Sequence, residues 1–302
     1  MKWKKLGLLF VPEKQHPWMV SHATLPIAQH INRDIFRIYF SCRNSSQQSN
    51  VGYIELDIRS PKEILNISPH PVLSPGNPGL YDDSGTSLAC ILPIQSKLYG
   101  FYVGWNLSVT VPWRNSIGLG IYDAEENYFS KPFFAPILDR SHIDPFSLSY
   151  PWIITENNLF KMWYGSNLNW GAQKNEMQHV IKYAESQDGI HWERKNNICI
   201  NFNDPEEYAI CRPCVIKDSD CYRMWYSYRG ERYRIGYAES QDGLTWVRKD
   251  GKVGIDVSST GWDSEMIEYP FIFDHQGERY MLYNGNDYGR SGIGLAILES
   301  SN

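Results

Sequence analysis

Short runs in which apolar and polar side chains alternate dominate the hydrophobic pattern of this chain. The run YRMWYSYR (222–229) is typical, and it is followed by the run IGYAES (235–240), which is rich in small residues. Alternation with a period of two is the pattern of a half-buried β-strand, because successive side chains point to opposite faces. We find no long stretch with the spacing of an amphipathic helix. The pattern therefore predicts an all-β fold.

One phrase of the sequence occurs twice. Residues 183–192 read YAESQDGIHW and residues 237–246 read YAESQDGLTW, an offset of 240 − 186 = 54 positions between their serines. A repeat of that length indicates one supersecondary unit that is stacked several times. In both copies Asp-Gly lies between two predicted strands, where glycine supplies the positive φ of a tight turn. We therefore predict that Asp188 and Asp242 open the turn between the last two strands of two units.

A second phrase, a proline that precedes an aromatic strand, recurs more often. The prolines are Pro26, Pro151, Pro213 and Pro270, and the run LYGFYVGW (98–105) fits the same place without a proline. Five copies give about sixty residues each, which is the size of a four-stranded propeller blade. The sequence thus predicts one domain over residues 1–302, a five-bladed β-propeller with four-stranded antiparallel blades around a central channel.

Composition narrows the classes of partner. The net charge is −5 and no basic stripe is present, which argues against a nucleic-acid partner. No apolar stretch approaches the ~18 residues of a membrane-spanning helix. The N-terminal lysines resemble the start of a signal peptide, but the apolar run behind them is short and ends at Pro12. We therefore expect a cytoplasmic protein without a membrane span.

The six cysteines are scattered along the chain, so we expect reduced thiols rather than a disulfide framework. They are Cys42, Cys90, Cys199, Cys211, Cys214 and Cys221. Cys211 and Cys214 have CxxC spacing, but one such pair without a second is a weak zinc signal. No metal and no cofactor is predicted.

Polar residues just before the repeated prolines are the candidates for chemistry, because the first strand of each blade would line the channel. Period-two alternation places Thr24, Ser149, Cys211 and Glu268 in one ring, with His22 in the next. Four of the five predicted channel strands carry an acidic residue, although strand interiors are depleted in Asp and Glu. The residues form either a carboxylate-lined pocket or a set of solvated acids at the blade entrances.

A pair of carboxyl groups that flanks one bond is what glycoside hydrolysis requires. Arg212 is suited to hold a carboxylate or phosphate, and the alternative is a salt bridge to Glu206 or Glu207. Trp105 and Trp170 lie in predicted loops and are candidates for stacking on sugar rings, although most aromatic residues of the chain pack the sheets.

The phrases together resemble those of the five-bladed propeller glycosidases, which include glycoside hydrolase families 43, 62, 32 and 68 and the phosphorolytic family 130. The resemblance covers nearly the whole chain and implies attack at an anomeric carbon by Asp and Glu residues of the channel. His142-Ile-Asp144-Pro resembles the Asp-Pro of blade three, and Glu268-Tyr-Pro has the form of the family's acid. Leu25 stands where family 43 has the blade-one Asp, and Asp83 is the nearest replacement.

Three functions remain open at this point. In the first, the protein cleaves or transfers a glycosidic bond with Asp83 and Asp144 as base and nucleophilic or pKa-tuning carboxylates and Glu268 as the acid. Substrate-binding residues would then be His22, Glu207, Arg212, Trp105, Trp170, Ser149 and Cys211. The second is a carbohydrate-binding propeller without catalysis. The third is an enzyme of surface-polysaccharide assembly that acts on an activated or phosphorylated sugar. A carbohydrate is the expected partner in each, and the oligomeric state is open.

Overall fold

The computed structural model describes residues 1–170 and 177–299. Across these residues the chain forms β-strands with almost no helix, so the prediction of an all-β fold is confirmed. The strands are β1 (Trp3–Phe10), β2 (Ser21–Asn32), β3 (Ile35–Arg43), β4 (Ser49–Asp57), β5 (Ile64–Ile67), β6 (Gly85–Ile94), β7 (Lys97–Leu107), β8 (Trp113–Asp123), β9 (Tyr128–Ser130), β10 (Leu148–Glu156), β11 (Leu159–Asn169), β12 (Gln178–Ser186), β13 (Glu193–Ile200), β14 (Ala209–Lys217), β15 (Tyr222–Arg229), β16 (Tyr233–Ser240), β17 (Val247–Arg248), β18 (Glu268–His275), β19 (Glu278–Asn284) and β20 (Ile293–Leu298). A 3-10 helix spans Asp250–Lys252, and one helical turn, α1, spans Asn286–Gly289.

The strands pair in consecutive antiparallel groups of four. Sheet I contains β2–β5, sheet II β6–β9, sheet III β10–β13 and sheet IV β14–β17. Sheet V contains β18, β19 and β20, and its fourth strand is β1 from the other end of the chain. The first strand of each sheet contacts the first strands of its neighbours, and β18 also contacts β2.

The repeated Asp-Gly turns lie where the sequence predicted them, between β12 and β13 and between β16 and β17. The carboxylate of Asp188 accepts the backbone N–H groups of Ile190 and His191 at 2.8 Å, which closes the turn. Asp242 does the same in the second copy, and the following Trp246 packs edge-on against Trp163 of the neighbouring sheet. The repeated phrase is therefore a turn motif plus an aromatic residue that joins two sheets.

A β-bulge interrupts the first strand of four sheets at the residue before the repeated proline. Leu25, Tyr150, Arg212 and Tyr269 have φ between 49° and 58°, a left-handed conformation that side chains other than glycine rarely adopt. The register with the second strand shifts at the same place. A bulge turns a side chain out of the normal alternation between the two faces of a strand. These four residues therefore lie where the first strands of the sheets approach one another. The bulges create the environment of the candidate site.

Candidate functional site

The ring expected from alternation is present in the strand register. Its members occupy equivalent positions on the first strands, each paired with the corresponding residue of the second strand. The pairs are Thr24 with Ser41, Ser149 with Gly165, Cys211 with Ser227, and Glu268 with Asn284. Ser149, Cys211 and Glu268 are buried, so the ring lies inside the molecule rather than at an open surface.

Glu268 is the most unusual member of this ring. Its side chain is fully buried, and neither carboxylate oxygen has a hydrogen-bond partner among the described residues. Burial raises its pKa well above the usual range, the nearby charge of Asp287 raises it further, and Arg229 acts in the opposite direction. Burial without a partner therefore favours the protonated form of Glu268, which has a proton to donate.

Three tyrosines and a cysteine lie close to Glu268. The ring of Tyr269 lies 5.8 Å from that of Tyr150 and 6.1 Å from that of Tyr233, between centroids. The thiol of Cys211 lies 3.8 Å from the Tyr233 hydroxyl. Burial raises the pKa of all four side chains, and with Glu268 they form a weakly polar cluster, the Glu268 pocket.

Arg229 closes one side of this pocket without a carboxylate partner. Its guanidinium carbon lies 5.3 to 5.5 Å from the ring centroids of Tyr208, Tyr233 and Tyr288, and it donates a hydrogen bond to the Tyr288 hydroxyl. A cation held by three aromatic faces keeps its charge while it stays partly desolvated. Arg229 thus anchors the turn that contains Tyr288.

That turn carries the second carboxylate of the site. Asp287 and Tyr288 both have left-handed backbone angles, with φ of 57° and 59°, and Gly289 follows with φ of 81°. A Cβ atom at Gly289 would lie 3.0 Å from the carbonyl oxygen of Ala23 on β2, so only glycine allows this approach. Consecutive strained residues occur mainly at functional sites. The turn holds the exposed carboxylate of Asp287 beside the Glu268 pocket.

Asp287 is not among the candidates that the sequence analysis named. Asn284 is fully buried and joins sheet V to β2. Its side chain accepts the N–H of Leu25 at 2.9 Å and donates to the carbonyl oxygen of Ala23 at 2.6 Å. In the sequence, the one available signal for Asp287 was the asparagine that precedes this acidic turn.

His22 lies on β2, the strand that Asn284 of sheet V contacts. It is half-buried, and its Nδ1 lies 2.9 Å from the hydroxyl oxygen of Ser21. Burial lowers its pKa to about 4, with contributions from the charges of Arg43 and Arg290. His22 is therefore neutral at pH 7 and available to a ligand as a hydrogen-bond donor or acceptor.

Arg212 lies in the interior, and neither of the contacts expected for it is present. Its guanidinium is fully buried and donates to the carbonyl oxygens of Ala89 at 2.5 Å and Pro26 at 3.4 Å. The expected salt bridge to Glu206 or Glu207 is wrong, because Glu207 pairs with Arg248 at 2.7 and 2.9 Å. Arg212 therefore links β14 to β6 and β2, and Glu207 belongs to the packing of sheet IV.

Asp144 is buried in a network that leaves its oxygens no free position. It accepts hydrogen bonds from Tyr164, Ser166 and Lys182 at 2.7 to 2.9 Å, and Arg194 adds a fourth at 3.1 Å. Burial alone would raise its pKa, but the Ser166 and Lys182 contacts lower it. This geometry favours a structural role over the catalytic one predicted from sequence.

The same arrangement recurs in four of the five sheets, where a tyrosine hydroxyl contacts an aspartate that also pairs with a cation. The triads are Tyr102–Asp82–Lys131, Tyr164–Asp144–Lys182, Tyr226–Asp250–Arg248 and Tyr283–Asp263–Lys5. Asp144, a predicted catalytic residue, is therefore one copy of a repeated packing element.

The remaining predicted residues lie outside the Glu268 pocket. Asp83 accepts the N–H of Gly79 and the hydroxyl of Ser84, both at 2.9 Å, in the turn before β6. The indole N–H of Trp105 donates to Ser49, and that of Trp170 donates to the carbonyl oxygen of Trp113. Both indoles are partly exposed, so each can still offer a ring face to a ligand.

The described residues contain no group of three or more His, Cys, Asp or Glu side chains placed to hold a metal ion. No helix within residues 1–170 and 177–299 has the length and apolar character needed to cross a membrane. All six cysteines are free and buried.

Solved structures with this fold are propeller-fold glycoside hydrolases. One described as "Glycoside hydrolase" has a TM-score of 0.77 at 16% identity and covers 99% of this chain and 92% of its own. A thermostable family-43 glycoside hydrolase has a TM-score of 0.70 at 15% identity, with coverages of 97% and 94%. A third, from work on "the GH130 family of mannoside phosphorylases", has a TM-score of 0.73 at 13% identity, with coverages of 99% and 94%. At these identities the likeness shows the fold alone, and the suspected relation to the propeller glycosidase superfamily is confirmed at that level.

Closer relatives come from Mycobacterium tuberculosis. "Uncharacterized protein MT1551" of strain CDC 1551 / Oshkosh and "Uncharacterized protein Rv1502" of strain H37Rv are each 47% identical over 300 residues. The match covers 99% of this chain and 100% of each relative. The chain therefore belongs to the family of these two proteins. No protein-family model matches it.

Proposed function

We propose that the protein is a carbohydrate-active enzyme that cleaves or transfers a glycosidic bond. In this proposal sheets I to V are the five blades of one propeller domain over residues 1–302, and β1 completes the ring. The contacts between consecutive first strands, including β18 with β2, support this arrangement. The cytoplasmic location expected from the sequence stays a prediction.

The buried neutral acid Glu268 is the observation that carries the proposal. A general acid must hold a proton at working pH, and burial without a partner keeps Glu268 protonated. Asp287, which is exposed on the strained turn, offers a second carboxylate in a contrasting environment. Glycoside cleavage uses two carboxyl groups, one as acid and one as base or nucleophile, and the buried Glu268 and the exposed Asp287 are proposed for these roles.

The roles follow from these environments. A sugar ring would lie at the entrance of the pocket, over the partly exposed rings of Tyr150, Tyr208 and Tyr288. Glu268 would give its proton, through one water molecule, to the glycosidic oxygen as the bond to the anomeric carbon breaks. Asp287 would attack that carbon or take a proton from an attacking water. His22, neutral and half-buried, would hydrogen-bond a sugar hydroxyl.

Asp83 remains the competing candidate for the second carboxylate. It lies in the turn before β6 with one face open to solvent, whereas Asp144 is fully occupied by its four donors. The choice between Asp83 and Asp287 is therefore made by the experiment.

The experiment is a screen of 4-nitrophenyl glycosides and oligosaccharides, followed by kinetics of E268Q, D287N and D83N on the cleaved substrate. We expect kcat/KM to fall by about 10²–10⁴ in E268Q and D287N, the usual contribution of a positioned acid or base. E125Q, in the exposed β8–β9 turn, is the control and should match wild type. Wild-type rates in E268Q would refute the assignment, and loss in D83N with normal rates in D287N would transfer the second role to Asp83.

A carbohydrate-binding protein without catalysis is the second candidate. The favouring observation is Leu25, which is buried where the resembled family 43 has a catalytic Asp. This function predicts saturable sugar binding with no product in the same screen. The third function, assembly of a polysaccharide from a phosphorylated sugar, relied on Arg212, whose guanidinium is buried against backbone carbonyls.

A further inference from the structure

Three arginines near His22 and Glu268 have no carboxylate partner in the part of the chain that the structure describes. Nine arginines lie within 4.0 Å of a carboxylate there. Of the six that do not, Arg33, Arg43, Arg114, Arg212, Arg229 and Arg290, three act on the charge of His22 or Glu268: Arg43, Arg290 and Arg229. Because these three are gathered in one region, an anionic ligand would balance their charge there.

The fold places Arg43 and Arg290 on the two sides of His22. Arg43 is opposite Ser21 in the pairing of β2 with β3, one residue from His22. Arg290 directly follows Gly289, which packs against the backbone of Ala23 on the same strand. Both guanidinium groups belong to exposed residues, so a solute can reach them.

The same contact between sheets connects the pair to the proposed acid. Asn284 lies opposite Glu268 in sheet V, and its amide bonds the backbone of Ala23 and Leu25 in β2. Arg43 on β3, Arg290 in the turn after α1 and Glu268 on β18 thus lie around the same contact between sheets.

Two cations and a carboxylate act on His22. Burial lowers its pKa most, the charges of Arg43 and Arg290 lower it further, and Asp287 opposes them. An arginine pair can bind an oxyanion through several charge-assisted hydrogen bonds at once.

We propose that Arg43 and Arg290 bind an acidic substituent of the substrate, so that the substrate class is an anionic glycan. The acidic group is a carboxylate or a phosphate ester on the sugar, held beside His22 while the glycosidic bond lies at the Glu268 pocket. The inference rests on the proposed function for the position of the sugar. The binding step itself does not require cleavage.

The test is binding of the protein to an array of neutral, uronic-acid-containing and phosphorylated oligosaccharides. We expect binding to be confined to acidic glycans and to weaken as salt is raised, because the arginines are exposed. The double variant R43Q/R290Q should lose about 10- to 100-fold in affinity for them. R33Q is the matched control, since Arg33 is an exposed arginine in the β2–β3 turn at the other end of the same strands.

Three results would overturn the inference: equal binding of neutral glycans, no binding of acidic glycans above that of neutral ones, or unchanged affinity in R43Q/R290Q. Inorganic phosphate provides a further arm. If phosphate alone drives cleavage of a neutral glycoside and R43Q/R290Q abolishes that dependence, the anion is a co-substrate and the inference is wrong. Acidic-glycan binding that survives in an inactive protein would instead contradict the proposed function and leave this inference standing.

Discussion

At the scale of single residues, the presence or absence of hydrogen-bond donors, rather than burial, separates a packing carboxylate from a candidate acid. Asp144 and Glu268 are both fully buried carboxylates on or just before first strands. Asp144 has four donors and a lowered pKa, whereas Glu268 has none and a raised pKa. The first geometry stabilises an anion and the second stabilises an acid, so only Glu268 is suited to give a proton.

The raised pKa of Glu268 has a consequence for stability. In the unfolded chain a glutamate titrates near ~4.3, so above that pH the unfolded state is favoured by ionisation until the folded pKa is also passed. Wild type should therefore lose stability as pH rises from about 5 to 8, and E268Q should lose less, with a higher urea midpoint at pH 8. Urea unfolding at both pH values measures this. Parallel pH dependence in the two proteins would show that Glu268 is not held neutral.

The residue scale also shows the limits of sequence reasoning. Glu268 was found because period-two alternation and the following proline define its position. Asp287 was missed because its position near Glu268 depends on the left-handed turn and on Arg229, which is distant along the chain. The contacts of Arg212 with Ala89 and Pro26 likewise join residues far apart in sequence, which no local pattern encodes.

At the scale of elements, the repeated triads and the α1 turn do different work. Each tyrosine–aspartate–cation triad links the second strand of one sheet to an aspartate in a connecting segment. The turn after β19, in contrast, holds a strained backbone beside the site. The repeated phrases of the sequence encode the first kind of element well, because every copy solves the same packing problem.

The triad of sheet III gives a stability prediction. D144N removes the anion that Lys182 and Arg194 share, and uncompensated buried charge typically costs about 3–5 kcal/mol. We expect that loss in the free energy of unfolding by urea, with E125Q unchanged as control. Residual folded D144N should keep its kcat/KM. Stable but inactive D144N would restore Asp144 to the catalytic role.

The α1 turn gives a prediction about how the position of Asp287 affects activity. G289A introduces a Cβ 2.7 Å from Asn284 Nδ2 at a φ of 81°, so the turn and Asp287 must shift. G277A, with a φ of 83° and open space, suffers only the backbone strain of about 1 kcal/mol or more. We expect both variants to lose stability but only G289A to lose activity, measured as kcat/KM. Equal kcat/KM in G289A and G277A would show that the α1 turn is not part of the site.

At the scale of the whole molecule, strand β1 joins the two ends of the chain in one sheet. The strands form five antiparallel groups, and single parallel residue pairs join sheet I to sheet II and sheet III to sheet IV. That the five groups are the blades of a closed propeller stays a proposal. β1 pairs with β20, so the N-terminal strand completes the last group. Each unit is followed along the chain by the unit that packs beside it. The order of the sheets in space is therefore their order in the sequence.

Trp3 tests how much the molecule depends on that junction. Its ring packs edge-on against Trp225 of sheet IV with centroids 6.2 Å apart, and it is 6% exposed. W3A should lower the free energy of unfolding by about 3–5 kcal/mol in one cooperative transition. K4A, on the exposed face of the same strand, is the control. A separate early transition in W3A would show that β1 is peripheral.

The central claim is that Glu268 protonates the leaving group, and the dependence of rate on the leaving group tests it most directly. Wild type and E268Q are compared on glycosides of the same sugar with 4-nitrophenol and with a poor alkyl alcohol as leaving group. Because 4-nitrophenolate departs with little need of a proton, we expect E268Q to lose far more kcat/KM on the alkyl glycoside. An equal loss on both substrates would contradict the assignment of Glu268 as the acid.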